Sequence, residues 1–262
     1  MSCSRRGGNA VLVFTSCSPT EYQTKREHIK LYFTCPKDRV EALRKGYRRA
    51  VFRKGLEMLV FWKAKLVLMA VPKTGTTALE EALLPHADAA ILNPPQMKHC
   101  TVRRYRNQLA RFFEQRGSRP LELVAVMREP VDWLSSWYRY RARDAIVGEA
   151  TSTADLSFDA FVAAWLSENP PEPARVGRQS RFLDHANGTV GVDHLFRHDR
   201  MDDLVRFLEA RLSVDLTLPA RNVSPAGETG LSAEMEGRLR SEAAEDFALW
   251  TALCDGRLRH GV

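Results

Sequence analysis

The segment from Lys65 to Leu84 constrains the fold of this chain more than any other part of it. It opens with an unbroken apolar run, Leu66 to Val71, which is typical of a strand buried on both faces. The tight polar sequence Pro-Lys-Thr-Gly-Thr-Thr comes next, and apolar residues at helical spacing follow it. We therefore expect a buried strand, a short loop and an amphipathic helix in direct succession.

The loop has the features of a phosphate cradle. Gly75 allows a tight turn and a close approach of the backbone to a ligand. The amides from Thr74 to Thr77 stand at a helix N-terminus, where hydrogen bonding and the helix dipole both favour an anion. Thr76 and Thr77 add hydroxyls, and Lys73 adds a mobile positive charge. The alternative is an ordinary turn whose threonines only cap the helix.

The loop differs from the common nucleoside-triphosphate loop, G-x-x-x-x-G-K-[ST], in which the lysine follows the second glycine. Here Lys73 precedes Gly75. No apolar run ending in an aspartate offers a carboxylate for a metal ion, so we expect no metal site.

A second strand and helix follow at Leu121 to Arg143. The apolar run Leu121 to Met127 ends in Arg128, and Pro130 stands where a helix can begin. Ser136 follows Arg128 by eight residues, on the second turn of that helix. Ligands of α/β sheets gather at the carboxyl ends of the strands, so this guanidinium and this hydroxyl can converge on one phosphate. Either residue alone would be expected to lie free on the surface.

Together the two elements resemble the sulfotransferase superfamily, which uses 3′-phosphoadenosine-5′-phosphosulfate (PAPS). The loop resembles the family's 5′-phosphosulfate loop, and Arg128 with Ser136 matches its R-x7-S motif for the 3′-phosphate. The amino-acid sequence around Arg128 is similar to that of the family's carbohydrate branch. The resemblance covers roughly Lys65 to Leu253. It implies a P-loop-like fold of three layers with a central, mostly parallel sheet flanked by helices.

The resemblance also implies roles for individual residues. Lys73 would stabilise the leaving adenosine 3′,5′-bisphosphate. The loop, Thr74 to Thr77 with Gly75, would bind the 5′-phosphate. Arg128 and Ser136 would bind the 3′-phosphate. The stretch Lys98 to Thr101 matches the family's K-H-x-[ST] sequence, which makes His99 the candidate general base. His86, Glu80 and Glu81 are the alternative bases.

The acceptor is expected to be a hydroxyl-bearing saccharide or glycoconjugate, on the strength of the resemblance alone. Gln179 matches a family position near the acceptor, although a role in a turn is equally compatible with it. Arg103 and Arg106 lie on a predicted helix and could bind an acidic glycan. A run of charged residues on a helix more often forms a face that is exposed to solvent.

The formal net charge of +7 is unevenly distributed. Residues 1–54 contain thirteen Lys and Arg against four Asp and Glu, so the rest of the chain is slightly acidic. We therefore divide the chain into a basic N-terminal extension, 1–54, poorly ordered or partly helical, and a sulfotransferase domain, 55–262. Glu41 to Phe61 could form a basic amphipathic helix that contacts a membrane surface. No nucleic-acid partner is expected.

The sequence contains no run of about 20 apolar residues that could cross a membrane. Its five scattered cysteines suggest neither a disulfide framework nor a zinc site, and a cytoplasmic setting fits them best. Two other functions stay open: a kinase for a nucleotide or small molecule on a P-loop fold, and a non-catalytic protein that binds polyanions through its basic N-terminus. The sequence does not indicate an oligomeric state.

Four further elements are predicted from periodicity. They are strands at Ala89 to Leu92 and Val192 to Arg197, and helices at Phe158 to Leu166 and Met201 to Leu212. Asp199 is expected to cap the second of these helices, and Ser232 the last helical region.

Overall fold

The structure is a computed structural model that describes residues 58–75, 77–91, 95–115, 119–184, 189–217 and 230–258, with the backbone of two strands at 10–14 and 29–33. Seven strands within these ranges form one sheet. They are β1 (Ala10–Phe14), β2 (Ile29–Phe33), β3 (Met58–Phe61), β4 (Leu66–Leu68), β5 (Ala89–Ile91), β6 (Glu122–Met127) and β7 (His194–Arg197). Their order across the sheet is β2-β1-β5-β3-β4-β6-β7.

The sheet is mixed, so the expectation of a mostly parallel sheet was wrong. β1 and β2 are parallel, as are β4 with β6 and β6 with β7. β1 with β5, β5 with β3, and β3 with β4 are antiparallel. The predicted strands β4, β6 and β7 do form a parallel group, and its carboxyl edge carries the predicted phosphate loop.

The strand β3 explains much of this difference. We expected a helix up to Phe61, but Met58–Phe61 is a strand whose four residues are all buried. A four-residue turn then reverses the chain, with the amide of Lys65 donating to the carbonyl of Trp62 at 3.2 Å. Since so short a turn can join only antiparallel neighbours, β3 must run against β4. The remainder of the predicted helix lies outside the described residues.

Helices surround the sheet. Ten α-helical segments fall within the described ranges: α1 (Thr77–Leu83), α2 (Pro95–Lys98), α3 (Val102–Arg104), α4 (Ala110–Phe113), α5 (Pro130–Arg141), α6 (Phe158–Leu166), α7 (Gln179–Leu183), α8 (Met201–Leu212), α9 (Ala233–Glu242) and, after a break at Ala243, α10 (Ala244–Cys254). A π-helical turn, Tyr105–Leu109, joins α3 to α4.

The side chains of the central strands alternate between two apolar layers. Val67, Leu123 and Ala125 belong to one cluster, which includes side chains from α3, α4, α7 and α10. Leu66 and Val124 belong to a second cluster, which includes side chains from α1 and α8. A third cluster joins α5, α6 and α9 beside the sheet. The chain is therefore an α/β protein whose sheet is flanked by helices.

Most of the predicted strands and helices are confirmed, but one predicted helix cap is wrong. The strand near Ala89, the strand before Arg128 and the helix Phe158–Leu166 are present. The hydroxyl of Ser232 caps α9 by accepting from an amide. Asp199 does not cap α8, because its carboxylate binds Arg197 instead.

The N-terminal stretch contributes to the sheet. β1 and β2 lie within residues 1–54, so the sheet takes up part of the segment that the sequence analysis set apart as an extension. The other residues of that segment lie outside the described ranges. None of the helices in the described part of the chain has the length and apolar character that a membrane crossing requires.

The turn between β3 and β4 yields a test of backbone strain. Lys65 has a φ of 56°, a left-handed conformation that costs a non-glycine residue about 1–2 kcal/mol. Part of that cost is offset by the entropy that a glycine loses on folding, about 0.5–1 kcal/mol. We expect Lys65→Gly to raise the free energy of unfolding by roughly 0.5–1 kcal/mol in urea titrations.

Lys63 is the matched control, since it is exposed in the same turn but has an ordinary negative φ. Lys63→Gly removes the same charge and should lower the free energy of unfolding. A decrease for both variants would contradict the assignment of strain to Lys65.

Candidate functional site

The predicted phosphate loop lies at the carboxyl end of β4. Met69 to Val71 continue from the strand as buried chain, and α1 begins at Thr77. Lys73 and Gly75 have φ values of 64° and 71°, so the backbone turns through left-handed conformations at both positions. These two turns give the loop its shape before the helix starts.

Side chains on both sides hold this loop. The hydroxyl of Thr74, fully buried, donates to the carbonyl of Val71 at 2.8 Å. The indole of Trp133 on α5 donates to the carbonyl of Pro72 at 2.9 Å. The hydroxyl hydrogen of Thr74 is therefore used within the loop, which leaves the backbone amide of Thr74 for the predicted contact with a phosphate.

Arg128 lies directly after β6 and reaches the loop. Its Nη1 donates to the carbonyl of Lys73 at 3.2 Å, while Nε and Nη2 bind the carboxylate of Asp132 at 2.5 and 2.8 Å. Arg128 is only 14% exposed in its side chain. A guanidinium has five N–H donors, so these contacts leave two for a ligand.

Gln179 fixes the backbone from which Arg128 projects. Its side chain is 1% exposed, accepts from the Arg128 amide at 3.0 Å and donates to the Arg128 carbonyl at 2.8 Å. Both polar atoms of the Gln179 side chain are thus hydrogen-bonded to the backbone of Arg128, which leaves one N–H and one lone pair for the predicted contact with an acceptor.

One face of α5 is turned toward the loop. Asp132, Ser136 and Tyr140 are spaced at i, i+4 and i+8, which aligns them along the helix. Asp132 binds Arg128, and the ring of Tyr140 lies 4.1 Å from Nζ of Lys73. The half-buried Ser136 lies between these two contacts, on the face where the R-x7-S motif predicts it.

Positive charges converge around Lys73. Burial, and then the nearby charges of Arg143, Arg128 and Arg139, lower the pKa of Lys73 to about 8. Arg143 also stacks on Tyr140, with Cζ 3.8 Å from the ring centroid. Bringing cations this close is unfavourable unless an anion joins them, so the arrangement is suited to a polyanionic ligand.

His99 lies beside the chain that leads into the loop. Its Nδ1 is 2.8 Å from the carbonyl of Ala70. A carbonyl oxygen can only accept, so Nδ1 carries the hydrogen and Nε2 presents a lone pair. Burial, opposed by this hydrogen bond and assisted by the charge of Lys98, lowers the pKa of His99. The ring is therefore neutral at pH 7, as a general base must be.

A cleft of about 160 Å3 opens next to these groups. Val71 and Pro72, on the chain entering the loop, form one part of its wall. The rest is formed by Thr101, two residues after His99, by Trp133 on α5, and by side chains from Val176 to Phe182, a stretch that includes the start of α7 and Gln179. An engineered cavity of about 150 Å3 holds one benzene molecule, so this cleft has room for roughly one ring.

His198, to which no sequence motif pointed, follows β7 and lies against the loop. A methyl group placed on Gly75 would be 2.8 Å from Nε2 of His198. Burial and the charge of Arg128 lower the pKa of His198, against the opposite effects of Asp132 and Asp199. The rule that pointed to Arg128, a polar residue directly after a buried parallel strand, could also have pointed to His198.

The two other predicted substrate residues, Arg103 and Arg106, form ion pairs. Arg103 binds Asp184, just after α7, at 2.9 Å and is 58% exposed. Arg106 binds Glu114 and Asp193, and Asp193 accepts from the amide of Leu123 where β6 begins. The structure therefore does not bring Arg106 to the edge of the sheet that carries the loop. Thr76 and the side chain of Thr77 lie outside the described residues.

Comparison of the chain with protein-family models, with curated proteins and with solved structures finds no match in any of the three. In the part of the chain that the structure describes, no three His, Cys, Asp or Glu side chains are grouped so that they could hold a metal ion. The case for a function therefore depends on the geometry of the loop and on the sequence resemblance.

Gly75 provides a test of the loop geometry. Gly75→Ala places a side chain at a φ of 71° and against His198. We expect the free energy of unfolding to fall by about 1–2 kcal/mol from the backbone alone, with a further loss from the contact. A double-mutant cycle with His198→Ala, measured by urea unfolding, should recover the part that is due to the contact.

Gly237 in α9 is the control, because it has no positive φ and no neighbouring atom within 4 Å of an added methyl group. Gly237→Ala should stabilise the protein by roughly 0.5–1 kcal/mol. Additive effects in the Gly75 and His198 cycle would show that the two residues are not in contact.

Proposed function

We propose that this protein is a PAPS-dependent sulfotransferase that moves a sulfuryl group to the hydroxyl of an acceptor. One observation carries the proposal: Lys73 on the loop and Arg128 after the neighbouring parallel strand are joined through the Lys73 carbonyl, among further arginines of α5 and its C-terminal end. The residues that the sequence assigns to the two phosphate groups of one donor thus meet at one edge of the sheet.

The charge of the site fits the donor. PAPS carries negative charge at its 5′-phosphosulfate and at its 3′-phosphate, and the site offers Lys73 and Arg128 for these groups. The left-handed turn at Gly75 and the start of α1 resemble the phosphate loops of P-loop folds, and we include that fold relationship in the proposal. Anion binding would raise the pKa of Lys73 from about 8 and keep its ammonium charged.

The reaction makes few covalent demands on the protein. The bond between sulfur and the bridging oxygen of the 5′-phosphate breaks, and a bond between sulfur and the acceptor oxygen forms. The acceptor's proton passes to Nε2 of His99, and negative charge develops on the leaving phosphate near Lys73. Positioning and electrostatic stabilisation therefore supply the catalysis, as in phosphoryl transfer.

The cleft beside the loop is the place for the acceptor in this proposal. Its wall includes Thr101, two residues after His99, and Val71 and Pro72 on the chain that enters the loop, so a ring bound there would lie near both segments. The wall of the cleft includes two buried aromatic side chains, Trp133 and Phe182. A saccharide with a single ring in the cleft is consistent with the carbohydrate resemblance.

Calorimetric titration of the full chain with adenosine 3′,5′-bisphosphate, ADP and ATP, each with and without Mg²⁺, tests the donor. We expect the bisphosphate to bind best and independently of metal. Arg128→Ala should remove the preference for the bisphosphate over ADP, a loss of about 10- to 150-fold, since a charge-assisted hydrogen bond contributes about 1.5–3 kcal/mol.

Two variants control this measurement. Arg128→Lys keeps the charge but loses the planar fork, and it should retain part of the preference. Arg238→Ala makes the same change in net charge on α9, where Arg238 pairs with Glu242, and it should bind like the wild type. Tight Mg²⁺-dependent binding of ATP would instead support a kinase. Equal weakening of all nucleotides by Arg128→Ala would contradict its assignment to the 3′-phosphate.

The role of His99 predicts a dependence of turnover on pH. Since only the neutral ring can accept a proton and its pKa is lowered, turnover should be level above about pH 6.5 and fall on the acid side of that value. His99→Asn should reduce turnover by about 100-fold or more and remove the acid limb. The assay follows bisphosphate release from PAPS with 4-nitrophenyl β-galactoside as the acceptor probe.

His86→Asn is the companion variant, because His86 is an alternative base and is exposed on the turn after α1. It should leave the acid limb in place. If His86→Asn removes the limb and His99→Asn does not, the general base is His86.

A further inference from the structure

We propose that His198 is a further ligand of the donor's phosphates and that it binds them as an imidazolium, so that nucleotide binding takes up a proton from solvent. This inference rests on the proposed phosphate site, but it concerns a residue that neither the motifs nor the resemblance assigned.

The position of His198 carries the inference. Its ring lies against Gly75, with Nε2 2.8 Å from where a methyl group on that residue would stand. Gly75 itself is exposed, so this part of the loop is open to a ligand. His198 follows β7, as Arg128 follows β6, and these two strands are parallel neighbours. The ring therefore lies at the same edge of the sheet as Lys73 and Arg128.

The charges around His198 determine how it responds to an anion. Arg128, from the end of β6, disfavours the imidazolium, whereas Asp132 on α5 and Asp199 beside it favour that form. Lys73 belongs to the loop that the ring contacts. Burial is the largest influence on the ring and lowers its pKa, so the ring is neutral at pH 7 without a ligand.

A bound phosphate reverses this balance. Two negative charges next to the ring favour the imidazolium and give its N–H a charge-assisted hydrogen bond. The proton uptake is confined to the interval between the lowered and the raised pKa, which spans the ordinary histidine value of about 6.5. Lys73 also gains charge when an anion binds, but its pKa of about 8 places that uptake at higher pH. The two groups can therefore be separated by pH.

The experiment is calorimetry of the full chain with adenosine 3′,5′-bisphosphate at pH 6.5, in two buffers of different ionisation enthalpy. The slope of the observed heat against buffer enthalpy counts the protons taken up. Wild type should take up more protons than His198→Asn, with a difference of at most one, and its affinity should exceed that of the variant by about tenfold. At pH 8 the difference in uptake should disappear.

The comparison removes the ligand's own contribution. A phosphate monoester titrates near pH 6 and releases protons when it binds cations, but it does so equally in both proteins. His198→Gln serves as a second neutral variant, and thermal unfolding verifies that each variant is folded. His194→Asn replaces a histidine at the opposite end of β7, where it binds Glu122 at 2.7 Å, and should match the wild type.

The outcomes separate this inference from the proposed function. Equal proton uptake by wild type and both His198 variants overturns the role of His198, whichever nucleotide binds. If the protein prefers ATP with Mg²⁺, the donor assignment is overturned. If proton uptake on ATP binding then depends on His198, the role of His198 as a ligand of phosphates is upheld. A folded wild type that binds none of these nucleotides overturns both.

Discussion

The contacts of Arg128 hold the candidate site together. Its backbone is clamped by the buried amide of Gln179, and its guanidinium joins Asp132 on α5 to the carbonyl of Lys73 on the loop. The loop and α7, both more than 50 residues away in the sequence, and the adjacent helix α5 are thereby fixed to the end of β6. Buried polar groups that lose their partners cost about 1–3 kcal/mol each, so these contacts resist rearrangement. The loop is consequently held in shape before any ligand arrives.

This rigidity makes a cluster of like charges tolerable. Lys73 is held near Arg128, Arg139 and Arg143, and the shared ring of Tyr140 offsets only part of their repulsion. A flexible site would relax by moving these side chains into solvent. A site built around fixed backbone contacts keeps them together, and the repulsion is relieved when a polyanion binds. The lowered pKa of Lys73 and the suitability of the site for a polyanion are therefore two consequences of the same arrangement.

The strand, loop and helix around the phosphate loop could be predicted because local sequence determines them. Buried runs, a glycine and a helical pattern follow one another there, and Arg128 is adjacent to its strand. Contacts between distant segments could not be predicted. Gln179 has the same appearance in the sequence whether it binds a substrate or an arginine backbone. The strand Met58–Phe61 was missed because four buried residues show no alternation and overlap a helical pattern.

The two histidines of the site show how environment divides one side chain between two roles. Burial lowers the pKa of both His99 and His198. His99 gives its Nδ1 hydrogen to the carbonyl of Ala70, which fixes a neutral tautomer with a free acceptor. His198 instead lies against Gly75, an exposed glycine of the predicted phosphate loop. A neutral ring with a fixed acceptor is suited to receiving a substrate's proton, whereas a ring beside an incoming phosphate is suited to gaining one from solvent. In the proposed function, the group that each ring contacts distinguishes the general base His99 from the phosphate ligand His198, because the pKa of both rings is lowered in the empty site.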